Sequence, residues 1–324
     1  MRLVLVELTR FRSRRAIALM LLAAMLLAAL FAFTTIWDTR PVSAADVARA
    51  EAQVERDLSS RWFKQELARC ESNPEEYNGP GATAADCAES MTPRPEWYLE
   101  RGQLVLDEVR HGSGIGLVVL LAGIMVIIGT TFAGADWASG SMSNQLLFEP
   151  RRAKVWLAKA TAVFVGAAVA SAVILTAFWA ALFVAAEVRG ISTGATVQEA
   201  IRAEAFRGVL LAGFGALGAY ALTMLLRHTV GTVAVLFAYA IAGTAVIAAL
   251  PISGVGRWSV GNNVTAWLQD GYEFYDGTIA CSPGAGGCDQ MVKMTLEQGA
   301  TYLGVTLAVV AVASLLLFRR RDIP

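Results

Sequence analysis

Histidine is nearly absent. The 324-residue chain carries two, His111 and His228, beside four cysteines. The two are far apart and form no His-Glu-x-x-His pair, and a mixed Cys/His zinc site has little to be built from. Lysine is scarce too: Lys64, Lys154, Lys159 and Lys293 are the only ones. None stands in a Gly-x-x-x-x-Gly-Lys-Ser/Thr context, so the chain has no phosphate loop of its own. A Gly-x-Ser-x-Gly nucleophile elbow is also missing. Charged residues make up 17% of the chain, below the roughly 25% of a soluble domain. The basic ones are too scattered to follow a phosphate backbone, which argues against a nucleic-acid partner. Paired carboxylates occur at Glu75-Glu76 and Asp107-Glu108, in acidic surroundings that suit a solvated face better than an acid–base pair.

What the chain has instead is apolar length. Hydrophobic residues make up 56% of it. A bilayer core needs about 20 apolar residues per helix. Six stretches reach that length: 16–36, 113–133, 160–186, 207–226, 229–250 and 298–318. The first follows a basic region, as a secretory signal would, but its apolar run exceeds the roughly 7–15 residues of a signal core. It reads as a retained anchor. The expected fold is an all-α integral membrane protein with six transmembrane helices. None of the six stretches carries an interior charge, which argues against proton or ion coupling within the spans and points to an apolar or amphipathic cargo.

Formal net charge is zero, but the charges are not evenly spread. Arg2, Arg10, Arg12, Arg14 and Arg15 precede the first stretch, and Arg319, Arg320 and Arg321 follow the last. Arg151, Arg152, Lys154 and Lys159 lie between the second and third stretches, and Arg227-His228 between the fourth and fifth. The positive-inside rule places all of these on one side, with both termini cytoplasmic. Residues 37–112, 187–206 and 251–297 then fall outside. All four cysteines sit in those outer segments, in keeping with an oxidising compartment. Of the three possible connectivities, the two local pairs, Cys70–Cys87 and Cys281–Cys288, are expected.

The 37–112 insertion is long for a connection. Ser43-x-x-Asp46 is a helix-start signal, with Val47, Val54, Leu58 and Trp62 following at near-helical spacing. Residues 73–95 should be irregular and 96–110 helical again, giving a mainly helical extracellular cap. The aromatic run from Trp258 to Tyr275 reads as a short re-entrant or surface helix. Residues 1–15 read as a cytoplasmic interfacial helix: Val4, Leu8 and Phe11 share a face with Leu5 beside them, while Arg2, Glu7, Arg10 and Arg12 lie elsewhere around it.

The most unusual stretch is 134–159, which joins two apolar runs. It holds Asp136, Glu149 and four cations, and Pro150 breaks it in the middle. It reads as a small helix on the membrane surface that offers charges to another protein. A plainer reading takes the same charges as topology signals.

Asp136-Trp-x-x-Gly-Ser-Met-x-x-x-Leu-Leu-x-x-Pro150-Arg-Arg, with Lys159 beyond it, resembles the signature of ABC-2-type permeases, the membrane subunits of a class of ABC exporters. The basic amphipathic start, six spans, large first external loop and Arg-rich tail fit the same pattern; the cysteine-bearing loop departs from it. The resemblance implies a permease subunit of an ATP-driven exporter in a bacterial plasma membrane. It would have no ATPase activity and bind no cofactor itself; ATP and Mg would sit on a separate ATP-binding subunit. A second permease subunit, identical or related, would complete the pathway. Coupling to the ATPase would run through a helix from Ser141 to Glu149 and through the N-terminal helix. Asp136, Ser141, Glu149, Pro150, Arg151, Arg152 and Lys159 would form the coupling site: Asp136 pairing with Lys159, and Glu149, Arg151 and Arg152 making cross-subunit ion pairs or capping the helix. The alternative is a membrane-anchored sensor or assembly protein acting through residues 37–112. A lipid-modifying membrane enzyme would need buried His, Asp or Glu in the spans.

Overall fold

The computed structural model describes residues 2–99, 102–250, 252–279 and 290–320. Cys281, Cys288 and Arg321 lie outside the described residues. The chain divides into two compact units, one of Met1–Phe33 with Leu106–Pro324 and one of Thr34–Val105. In chain order the helices are α1 (Arg2–Ser13), α2 (Arg15–Asp38), α3 (Ala44–Ser59), α4 (Arg61–Ser72), α5 (Pro74–Asn78) and α6 (Ala84–Met91). Then follow α7 (Leu106–Val109), a π turn (Arg110–Gly114) and α8 (Ile115–Ala138), which together form one continuous helix. α9 (Ser141–Phe148), α10 (Arg152–Val188), α11 (Ala195–Leu226), α12 (Thr229–Ala249), α13 (Val260–Gln269) and α14 (Leu296–Arg320) complete the set.

Six helices among the described residues are long and apolar enough to cross a membrane: Arg15–Asp38, Leu106–Ala138, Arg152–Val188, Ala195–Leu226, Thr229–Ile247 and Leu296–Arg320. The chain is a mostly helical, multi-pass membrane protein. Three of these helices begin well before the apolar stretches, at Leu106, Arg152 and Ala195 instead of 113, 160 and 207. The Ala195–Leu226 helix therefore takes up much of the expected 187–206 loop. Ala, Arg, Glu and Gln are good helix formers, so hydrogen bonding continues where hydropathy stops. Asp136, Lys159 and Glu204, which lie outside the apolar stretches, are consequently residues of the same helices.

The first unit is built on α11, which packs against α8 and α10. Leu117, Leu121, Met125 and Ile128 line the buried face of α8. They meet a face of α11 made small by Ala212, Ala216 and Ala219. Small residues let spanning helices approach closely, because association there rests on packing more than on hydrophobic burial. Gly129 is the tightest point: a Cβ there would lie 2.2 Å from the Ala216 carbonyl oxygen. Outward-facing apolar residues on α12 (Val230, Phe237, Ile241) suit a lipid-facing helix.

Among the described residues, one element is not helical. Tyr272–Tyr275 and Met291–Met294 pair antiparallel, with Tyr272 opposite Met294. The stretch from Trp258 to Tyr275 does hold a helix, but it ends at Gln269. Asp270 (φ 67°) and Gly271 (φ 122°) turn the chain out of the helix, and Tyr-Glu-Phe-Tyr, aromatic at three of four positions, favours a strand.

In the second unit, the helix-start signal is a complete capping box. The Ser43 backbone N–H donates to Asp46 (2.9 Å), and the Asp46 N–H to the Ser43 hydroxyl (3.3 Å). The helix does not run on to Trp62. Ser60 ends α3 and caps α4, accepting from the Phe63 N–H at 3.1 Å. That break resets the helical phase, so Phe63 is buried and Trp62 is 71% exposed. Residues 73–95 hold two short helices, α5 and α6, in place of an irregular segment; beyond them lie a 3-10 turn over Pro95–Tyr98 and a helix that begins at Leu106. A disulfide joins Cys70 to Cys87, with Cα atoms 5.8 Å apart. The Tyr98 hydroxyl donates to Asp57 at 2.5 Å, which holds the phenol above its ordinary pKa.

Candidate functional site

α1 turns its Val4–Leu8–Phe11 face inward, rotated so that Glu7 is carried in beside it. Glu7 and Phe11 are buried, with Val4 and Leu8 partly covered, while Leu5 is 63% exposed. Gly166 on α10 makes room for the Phe11 ring, whose nearest atom would lie 2.8 Å from a Cβ at that position. Phe11 also packs against Phe132 of α8. Seating Phe11 carries Glu7, one helical turn earlier on the same face, into the interior.

There it meets Lys159. Lys159 Nζ lies 2.9 Å from Glu7 Oε2 and 2.5 Å from Asp136 Oδ2. Glu7 and Lys159 are fully buried and Asp136 is 1% exposed. Arg14 pairs with Asp136 and also donates to the Phe132 carbonyl at 2.7 Å. Both cations lie over the Phe132 ring, at 4.8 Å for Arg14 and 5.4 Å for Lys159. Arg10, partly exposed, also reaches Glu7 Oε1 at 3.5 Å, so two carboxylates meet one ammonium and two guanidiniums. An incomplete set would leave a buried charge unpaired at a cost of several kcal/mol.

The network reaches the 134–159 stretch at its base. The Ser141 hydroxyl donates to Asp136 Oδ1 (3.0 Å), and Gln145 Nε2 donates to Glu7 Oε1 (2.7 Å). α1, α8, α9 and α10 are thus joined through one buried polar centre. Next to it, the Tyr220 hydroxyl donates to the Trp156 carbonyl (3.0 Å), and Trp156 Nε1 to the Ser314 hydroxyl (3.1 Å), tying in α11 and α14.

The far end of α9 is open. Met142 is buried, but Leu147 is 81% and Phe148 90% exposed. Glu149 ends the helix and pairs with Lys154 at 2.5 Å, and that ammonium holds its carboxyl below the usual range. Pro150 and Arg151 are exposed, and Arg152, half-buried, starts α10. Of the anticipated site residues, then, Asp136, Ser141 and Lys159 come together, while Glu149, Pro150, Arg151 and Arg152 sit apart along the rim. Cys70 and Cys87 belong to the other unit. Glu7, Arg14 and Gln145 were not anticipated. Glu7 does leave a signal: it is the single acid among residues 1–15, and it stands at helical spacing from Val4 and Phe11.

A second ionic cluster occupies the other end of the Leu106–Ala138 helix, about 40 Å away at 1.5 Å per residue. Glu204 is 3% exposed and accepts from Arg110 Nη1 at 3.1 Å. Arg110 also donates to Asp107 (3.1 Å) and reaches His111 Nε2 (2.9 Å). Since arginine can only donate, Nε2 accepts, and the imidazole proton sits on Nδ1, donating to the Asp107 carbonyl at 2.9 Å. Close by, Arg207 pairs with Asp270 (3.0 Å) and donates to the Leu268 carbonyl (3.2 Å).

No protein-family model matches this chain, and neither does any curated protein or solved structure.

Proposed function

We propose that the chain is the membrane permease subunit of an ATP-driven exporter, and that α9 is where a separate ATP-binding subunit engages it. The observation that carries the reading is the contrast within α9. Its base is held by buried ions, and its tip presents Leu147 and Phe148 almost fully to the outside. An apolar pair on a polar connection is poorly placed in water and well placed in a partner's groove. A helix fixed at its base moves its neighbours when its tip is displaced, and through Glu7 and Lys159 those neighbours include α1 and α10. The absence of a phosphate loop in this chain agrees with energy supplied from outside it. In this reading α9 and both termini face the cytoplasm of a bacterial cell, Thr34–Val105 faces outward, a second permease subunit completes the path, and the cargo is apolar or amphipathic. ATP and Mg bind the partner.

The test is purification of the tagged chain in mild detergent from its native host. A stoichiometric phosphate-loop subunit is expected, and it should be lost in the double variant Leu147→Asp, Phe148→Asp while the chain still inserts. Recovery of the chain alone, or unchanged partner recovery in the variant, overturns the reading. Sidedness is tested by Trp62→Cys, which should react with a membrane-impermeant maleimide on intact cells; reaction only after lysis reverses it.

A further inference from the structure

A cavity of about 1280 Å³ lies where α13, the hairpin and the start of α14 meet. Its wall is aromatic. Trp258 and Tyr302 pack edge to face with ring centres 6.3 Å apart. The Tyr302 hydroxyl donates to the Trp258 carbonyl at 3.1 Å, so its contact with Tyr239 (2.5 Å) must be one in which Tyr239 donates. These rings stand near one end of a candidate span, where Trp and Tyr favour the membrane–water boundary.

Two charges line the same cavity, Arg257 and Glu297. Neighbouring charges satisfy each other: Arg207 with Asp270 at 3.0 Å and Lys293 with Glu273 at 3.1 Å. Arg257 and Glu297 make no ion pair among the described residues. Below the cavity, α14 presents Val305, Val309, Val312 and Leu316, each 46–63% exposed. Their spacing of four, three and four residues puts them on one helical face, and Val305 is itself part of the cavity wall. The cavity therefore opens onto an apolar strip running along the span.

We propose that this cavity binds one phospholipid with a zwitterionic head bearing a primary ammonium, of the phosphatidylethanolamine type. Arg257 takes the phosphate, for which a guanidinium fork is suited. Glu297 takes the ammonium, the aromatic pair flanks the head, and an acyl chain lies along the valine–leucine strip. A purely anionic head would meet the Glu297 carboxylate without a cation to offer it. A choline head would have no N–H to donate. The inference does not depend on the exporter reading.

The full chain is reconstituted in nanodiscs with equal parts of phosphatidylethanolamine, phosphatidylcholine and phosphatidylglycerol. It is then released into detergent, and the lipids that stay bound are identified by native mass spectrometry. Phosphatidylethanolamine should be retained several-fold over the other two. Glu297→Gln should abolish its advantage over phosphatidylglycerol, Arg257→Gln should lower retention of all three, and Arg257→Lys should restore it. Equal retention of the three lipids, a preference for the choline or glycerol head, or an unchanged pattern in the Gln variants overturns the proposal.

Discussion

At one end of the Leu106–Ala138 helix, charges are sealed in; at the other they lie half in solvent. Around Asp136, each of the two carboxylates meets a cation, and Glu7, Asp136 and Lys159 are 0–1% exposed. Around Arg110, only Glu204 is comparably buried, while Asp107 and Asp270 keep 47% and 68% of their side-chain surface. Both clusters join several helices. The first can do so only in one arrangement, because any displacement strips a buried ion of its partner. The second can exchange protein contacts for water. In the proposed exporter, the sealed cluster suits the end that must transmit force, and the half-open cluster the end that must rearrange.

The comparison breaks most readily at Lys159. Lys159→Met removes the fully buried cation, leaving Asp136 with Arg14 and Glu7 with only the partly exposed Arg10 at 3.5 Å, and should destabilise the chain by roughly 3–5 kcal/mol, read as lost thermal stability in detergent. Glu7→Met combined with Lys159→Met removes one ion of each sign and leaves Asp136 with Arg14, so the pair should cost less than Lys159→Met alone. Additive losses would mean the four groups do not act as one network. A smaller effect is expected at the other end: Glu204→Gln keeps a hydrogen bond to Arg110, which still has Asp107, and should cost about 1.5–3 kcal/mol. If it costs as much as Lys159→Met, the two ends do not differ in kind.

Much of this architecture is legible in the sequence. The apolar runs locate all six spanning helices, Ser43-x-x-Asp46 marks a helix start to the residue, and local spacing suggests the Cys70–Cys87 bridge. The motif brings Asp136 and Lys159 to mind as partners. Helix ends are not legible from hydropathy, since Arg152 and Ala195 continue helices in which lipid is no longer the issue. Nor is the burial of Glu7: beside five arginines a carboxylate looks solvated, and only the seating of Phe11 against Gly166 takes it inward. The hairpin was hidden because its second strand, Met291–Met294, is separated from Tyr272–Tyr275 in the chain and neither strand is long enough to announce itself.

Asp270→Asn tests the open end at its most exposed point. The pair with Arg207 sits largely in water, and its loss should cost about 0–1 kcal/mol. Salt at about 1 M should shrink that difference, because the screening length then falls to about 3 Å, the separation of this exposed pair, whereas the Lys159→Met penalty should persist. A salt-insensitive Asp270 effect would place it with the sealed ions.

The smallest effect is expected at Glu149, which belongs to neither cluster and lies on the exposed rim of α9. The Lys154 ammonium is the main cause holding its carboxyl below the usual range. A carboxyl lowered in the folded state stabilises it at pH above its unfolded value, and that contribution disappears as pH falls through the lower folded value. Wild type should therefore be slightly more stable than Glu149→Gln near neutrality, with the gap closing in acid and in high salt. Paired melts across a pH series would show it. A gap that widens in acid would mean that Glu149 is held by something other than Lys154, and that the rim of α9 is not the open, adaptable surface that partner docking requires.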